Sequence, residues 1–149
     1  MQFLQPHHHR FPADPSPDPG RIVLAGARDF DPAERELIDA SALTVLAGRD
    51  AMEELPAALG NDPVFIHLDL DVLEEGELPV SFPAKGGLEI AELHQLLAHV
   101  AEGREVVGFE VTNFQAPIDE FERMLGATAV KRVVEPLLDA LKGGAHVRD

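Results

Sequence analysis

The sequence predicts an α/β fold, a three-layer α/β/α domain with a mostly parallel sheet. Short apolar runs alternate with amphipathic helical segments from Arg21 onward, which is typical of strands joined by helical crossovers. One run, residues 64–68, is apolar enough for a central strand buried on both faces. Four strands are predicted, so the sheet is either small or part of a larger one.

The predicted elements follow one another at short intervals. Strands are expected at residues 22–26, 43–46, 64–68 and 106–111, and helices after Asp31, over 50–59, from about 90 to Gly103, and over the C-terminal segment. Asp31 has the position of an N-cap, because Pro32 and Glu34 follow it at the expected places. Pro136 is expected to kink the last helix or to split it in two.

The first twenty residues differ from the rest in composition. They hold five of the twelve prolines and the triplet His7 to His9. Dense proline prevents ladder hydrogen bonds, and few apolar side chains remain to offset the entropy of ordering. We therefore expect residues 1–20 to form a disordered lead-in and residues 21–149 to form the domain.

The composition excludes several functional classes. The formal charge is −15, from 12 basic and 27 acidic residues, which disfavours nucleic acid and anionic membranes and favours a small cationic substrate or a metal ion. There is no cysteine, so a thiolate metal site and a cysteine nucleophile are excluded, and a cytoplasmic location is expected. No apolar stretch approaches the length of about 20 residues that a membrane span needs.

Two aspartates, Asp69 and Asp71, follow the most apolar strand at a spacing of two. In an extended chain this spacing places both carboxylates on one side, where they repel each other and lose solvation. A cation relieves both effects, and oxygen ligands suit Mg²⁺, Mn²⁺ or Ca²⁺. The alternative is that the strand simply ends at Asp69 and that the acids lie in a solvated turn.

Several segments together resemble the ureohydrolase family, which includes arginase, agmatinase and formimidoylglutamase. The resemblance runs from about Arg21 to the C-terminus of this chain, and it is to the C-terminal half of the family fold. It rests on Gly26-Ala27-Arg28-Asp29-Phe30-Asp31 with Glu34, on Leu68-Asp69-Leu70-Asp71-Val72, on Gly86-Gly87-Leu88 and on the late strand Val106–Val111. The ordered set is far more specific than the Asp-x-Asp pair alone.

The resemblance implies a metal-dependent hydrolase of C–N bonds in guanidino and amidino compounds. In that family two Mn ions hold the hydroxide that attacks the substrate carbon. Asp69 and Asp71 would be metal ligands. Asn113 stands where the family presents a substrate-binding glutamate, and a neutral amide cannot pair with a guanidinium as a carboxylate does.

The chain also departs from the family pattern. It lacks the family's N-terminal Asp-Ala-His-x-Asp and Gly-Gly-Asp-His metal-binding segments. We therefore expect a truncated chain that binds one Mn ion weakly and has little or no activity. Two alternatives are a receiver-like or other non-catalytic binding domain, and a subunit that pairs with another chain or self-associates through an exposed sheet edge.

Overall fold

The computed structural model describes residues 18–28 and 30–145, in which strands and helices alternate. The strands are β1 (Val23–Ala25), β2 (Thr44–Leu46), β3 (Val64–Asp69) and β4 (Val106–Thr112). The α-helices are α1 (Pro32–Asp39), α2 (Leu55–Leu59), α3 (Ile90–Gly103) and α4 (Glu120–Ala145), with 3₁₀ turns at Pro19–Arg21, Asp50–Glu54 and Leu70–Val72. The predicted α/β class and the order of its elements are confirmed.

Most of the predicted disordered lead-in, including His7 to His9, lies outside the described residues, as does Asp29. The described part begins at Asp18, whose side chain accepts a hydrogen bond from the Gly20 N–H and caps the 3₁₀ turn Pro19–Arg21. The end of the region therefore contains a short ordered turn.

The strands form two parallel pairs instead of one four-stranded sheet. Within the described residues β1 pairs with β2, and β3 pairs with β4, from Val64 beside Val106 to Asp69 beside Thr112. The prediction that β3 is a central strand is therefore wrong, because it has a strand neighbour on one side only in this part of the chain.

The prediction that β3 is buried on both faces is also wrong. Val64 and Leu68 are buried, whereas Phe65 is 62% exposed and the His67 side chain is 57% exposed. The buried face packs on helices α3 and α4, in a core that includes Leu93, Leu97, Val100, Val133 and Leu137. The opposite face is open in the described residues. Helices of this part of the chain therefore cover β3 on one face only.

The helix ends follow the sequence closely. Asp31 is the N-cap of α1, as predicted, and the structure shows in addition that it forms a capping box with Glu34. Helix α4 continues through Pro136 as one helix of 26 residues, so the predicted split is not observed. Val133 and Leu137 are fully buried beside Pro136, and their packing outweighs the loss of one backbone hydrogen bond. Among the described helices, none is both long and apolar enough to cross a bilayer.

The two ends of the loop between β3 and α3 lie side by side. Leu73 and Leu88 form a parallel bridge, and the Glu74 N–H donates to the Leu88 carbonyl at 2.8 Å. Gly87 allows this approach, because a Cβ there would lie 2.3 Å from the backbone of Leu73. Both ends of the loop are thus fixed beside the end of β3.

We expect Gly87→Ala to lower the free energy of unfolding by about 2 kcal/mol, because backbone atoms cannot move aside as a flexible side chain can. The matched control is Gly103→Ala, where an added Cβ meets nothing within 4 Å, and it should leave stability unchanged or slightly higher. Urea denaturation measures both. Equal stability of the two variants would contradict the tight contact at Gly87.

Candidate metal site at the end of strand β3

The predicted metal ligands, Asp69 and Asp71, lie at the carboxyl end of β3. Asp69 is its last residue and caps the 3₁₀ turn Leu70–Val72, with its Oδ1 accepting from the Asp71 N–H at 3.0 Å. Both aspartates are half-buried. Because Asp71 lies in the turn, the extended-chain spacing assumed from the sequence does not hold for it. The turn itself brings the two acidic residues together.

The surroundings of Asp71 disfavour the ionised form of its carboxyl group. Its pKa is raised, first by desolvation and then by the neighbouring negative charge of Asp69. The guanidinium of Arg28 and the hydrogen bond from Asn113 act in the opposite direction but do not cancel the rise. A divalent cation beside Asp71 would remove the repulsion that raises this pKa.

Asn113, the predicted substrate-binding residue, lies against Asp71. Its Nδ2 donates to Asp71 Oδ2 at 3.2 Å, and its Oδ1 accepts from the Ser81 N–H at 3.1 Å. Its φ of 69° is in the left-handed region, which asparagine tolerates better than most residues. In this arrangement both polar ends of the amide are hydrogen-bonded. Asn113 therefore connects β4 to the turn Leu70–Val72 and to the loop between β3 and α3.

Arg28 binds the backbone of the turn after β3, a role that the sequence did not predict. Its guanidinium donates to the carbonyls of Val72 at 2.8 Å, of Leu73 and Ala84 at 3.3 Å each, and of Asp71. A cation surrounded by four carbonyl oxygens fixes the path of the backbone after Asp69. The resemblance to the Gly-x-Arg-Asp motif marked Arg28, but nothing in the sequence identified the carbonyls.

The acidic loop after β3 uses two of its carboxylates to hold backbone. Glu74 Oε2 accepts from the N–H groups of Gly86 and Gly87 at 2.7 and 2.8 Å. Glu77 Oε2 accepts from the Ile90 N–H at 2.9 Å, at the start of α3. These hydrogen bonds give Glu74 and Glu77 structural roles, so they do not add to the donors beside Asp69.

The donor set suits part of the shell of one hard cation. Beside the two aspartates, Thr112 adjoins Asp69 in the β3–β4 register, and its Oγ1 is buried without a hydrogen-bond partner among the described residues. Carboxylate and hydroxyl oxygens are ligands of Mg²⁺ and Mn²⁺. Within residues 18–28 and 30–145, no three His, Asp or Glu side chains converge on one point that could hold a metal. Among the described residues, the two aspartates and Thr112 would thus supply part of such a shell.

The chain matches known proteins over most of its length. The model of the Arginase family matches residues 7–137 and so begins earlier than Arg21. The chain is similar to N(omega)-hydroxy-L-arginine amidinohydrolase of Streptomyces lavendulae, with 31% identity over 82% of this chain and 45% of that protein.

Two solved structures extend the comparison. Arginase from Bacillus cereus superposes with a TM-score of 0.68 at 29% identity, over 80% of this chain and 44% of that one. Formimidoylglutamase from Bacillus subtilis has a TM-score of 0.67 at 22% identity, over 83% of this chain and 42% of that one, and shows the fold alone. The chain spans less than half the length of these relatives.

We expect Asp71→Asn to raise the melting temperature of the metal-free protein at pH 7 by about 2 °C. The folded-state pKa of Asp71 lies above its ordinary value of 3.8, so ionisation destabilises the fold as the pH rises through that pKa. The gain should disappear below pH 3.8, where both states hold the proton.

Thermal unfolding in EDTA across this pH range tests the effect, with Asp139→Asn as the control. Asp139 is exposed on α4 and pairs with Lys142 at 2.9 Å, so its replacement should change little. A lower melting temperature for Asp71→Asn at neutral pH would show that the carboxylate stabilises the turn.

Proposed function

Because the chain belongs to the arginase family, we propose that it supplies part of a metal-dependent hydrolase that cleaves C–N bonds of guanidino or amidino compounds. The observation that carries the proposal is the pair Asp69 and Asp71 at the carboxyl end of a parallel strand, with the pKa of Asp71 raised by burial and like charge. The family match favours this function over the receiver-like domain.

In this proposal Asp69 and Asp71 hold a divalent cation, and Mn²⁺ is the ion that the family resemblance implies. When bound, the cation would supply Lewis-acid activation of water. Arg28 positions the turn through the carbonyl oxygens of Asp71 and Val72. Asn113 orients the Asp71 carboxylate through its Nδ2. A net charge of −15 would attract a cationic guanidino substrate to the protein.

We also propose that this chain alone is inactive or nearly so. Two carboxylates supply few of the ligands of a two-metal centre, and each missing anionic ligand removes attraction that offsets dehydration of the ion. Asn113 carries no charge to pair with a guanidinium, and its amide is already bonded to Asp71 and Ser81. A cytoplasmic location stays a prediction from composition.

Calorimetric titration with Mn²⁺ should reveal one site with a dissociation constant of roughly 0.1 to 1 mM, the weak end of the range for cation sites built from oxygen ligands. Asp69→Asn should weaken it at least about tenfold, because half of the anionic charge is lost. Asp139→Asn removes the same charge on α4 and should leave the affinity unchanged. An affinity that survives Asp69→Asn would move the metal site elsewhere.

The purified chain, loaded with Mn²⁺, should release no detectable urea from arginine or agmatine. The reason is that Asp69 and Asp71 supply few of the ligands of a two-metal centre and that the amide of Asn113 is neutral. A colorimetric urea assay beside Asp69→Asn is the measurement, since background urea would be equal in both samples. Urea formation that disappears in the variant would overturn the proposal of inactivity and identify a working enzyme.

A further inference from the structure

A cavity of about 280 Å³ lies between the 3₁₀ turn Asp50–Glu54 and helix α3. Asp69, Asp71 and Asn113 are not among the residues that line it, so it is separate from the candidate metal site. Sites for small molecules begin at volumes of about 300 Å³, and the cavity is near that lower end. A molecule that fills it must therefore be small.

The inner part of this cavity is apolar. Met52 and Leu88 line it and are only 6% and 5% exposed, and the half-buried Leu96 of α3 lies beside them. An apolar group that covers these three side chains removes apolar surface from water on both partners. The floor formed by Met52, Leu88 and Leu96 therefore favours a ligand with an apolar part over a bare inorganic ion.

One pair of charges in the wall is already matched. Arg49 Nη2 pairs with Glu92 Oε1, and Arg49 Nη1 donates to the Gly87 carbonyl at 3.5 Å. The other carboxylate oxygen of Glu92 accepts from the Glu89 N–H at 2.8 Å, in the capping box of α3. Arg49 and Glu92 thus neutralise each other and hold one side of the cavity in place.

Two further carboxylates, those of Asp50 and Glu53, lie at the exposed edge of the same cavity. Residues three positions apart in a 3₁₀ helix lie on the same side of it, so both acids can face one ligand. Neither carboxylate has a hydrogen-bond or ion-pair partner among the described residues. Gln95 of α3 adds an amide group from the other wall. The unmatched charge of the lining is therefore negative, and hydrogen-bond acceptors come from two elements.

We propose that this cavity binds a small aliphatic ammonium ion. Its alkyl chain lies on the apolar floor, and its nitrogen lies beside Asp50 and Glu53. An ammonium group has three diverging N–H donors, which suit acceptors on two different elements, whereas the planar fork of a guanidinium suits a single carboxylate. A free amine and the side chain of a lysine on another polypeptide share this chemistry.

The test is a titration of the full 149-residue chain with butylamine in EDTA, followed by amide NMR shifts. Butylamine should bind saturably, with a dissociation constant of about 1 mM, and should shift the amides of residues 49–53 and 88–96. Butanol has the same chain without the charge and should bind at least about tenfold more weakly. Methylamine lacks most of the chain and should also lose at least about tenfold. Butylguanidine should bind more weakly than butylamine.

Variants of neighbouring acids separate the cavity from the general negative charge of the protein. Glu53→Gln should weaken butylamine about threefold, and the double variant Asp50→Asn with Glu53→Gln at least about tenfold. The control is Glu54→Gln, which removes the same charge from the same turn but does not line the cavity, and it should leave the affinity unchanged. All three acids are exposed, so the melting temperature should stay the same in every variant.

A blocked lysine, N-acetyl-lysine N-methylamide, distinguishes the two sources of the ammonium group. Tighter binding than butylamine would assign the cavity to a lysine side chain, and equal or weaker binding would assign it to a free amine. Three results would overturn the proposal: no saturable shift at residues 49–53 and 88–96, butanol or butylguanidine binding as tightly as butylamine, and an affinity that survives the double variant. Because the titration is done without metal, its outcome is independent of Mn²⁺ binding at Asp69 and Asp71.

Discussion

The position of the candidate site depends on the guanidinium of Arg28. It comes from the β1–β2 pair and bonds carbonyls in the turn that follows β3 and in the loop beyond it. Hydrogen bonds to a charged donor contribute about 1.5 to 3 kcal/mol each, more than neutral ones. This one side chain therefore joins the two strand pairs and fixes the backbone that carries Asp71. Its positive charge also lowers the pKa of that aspartate.

If Asp71 is a metal ligand, as we propose, stability and function oppose each other at this residue. Burial and the Asp69 charge make its ionised form unfavourable in the absence of a cation, which is the condition that favours metal capture. Asn113 and Arg28 relieve only part of the repulsion. The fold tolerates the remaining repulsion because backbone hydrogen bonds hold the turn and because Leu70 and Leu73 anchor it in the core. Both leucines are almost completely buried.

Local patterns predicted what local physics determines. The N-cap at Asp31, the end of α3 at Gly103 and the two aspartates at the end of β3 all follow from residues a few positions apart. The apolar run of β3 could not reveal that Phe65 is left exposed by the helices of the described residues, since burial depends on neighbours distant in the chain. Likewise, the bonds from Asn113 and Arg28 reach partners more than 30 positions away.

The closed loop between β3 and α3 has an evolutionary consequence. Its ends are fixed by the Leu73–Leu88 bridge and by Glu74, which binds Gly86 and Gly87, and Ser81 is held by Asn113, while residues 82–83 at its tip are exposed. Lengthening a flexible loop twofold costs only about 0.6 kcal/mol in closure entropy. Insertions at the tip would therefore leave Asp69 and Asp71 in place while changing the wall beside them. Related proteins could acquire different substrate preferences there without any change to the strands.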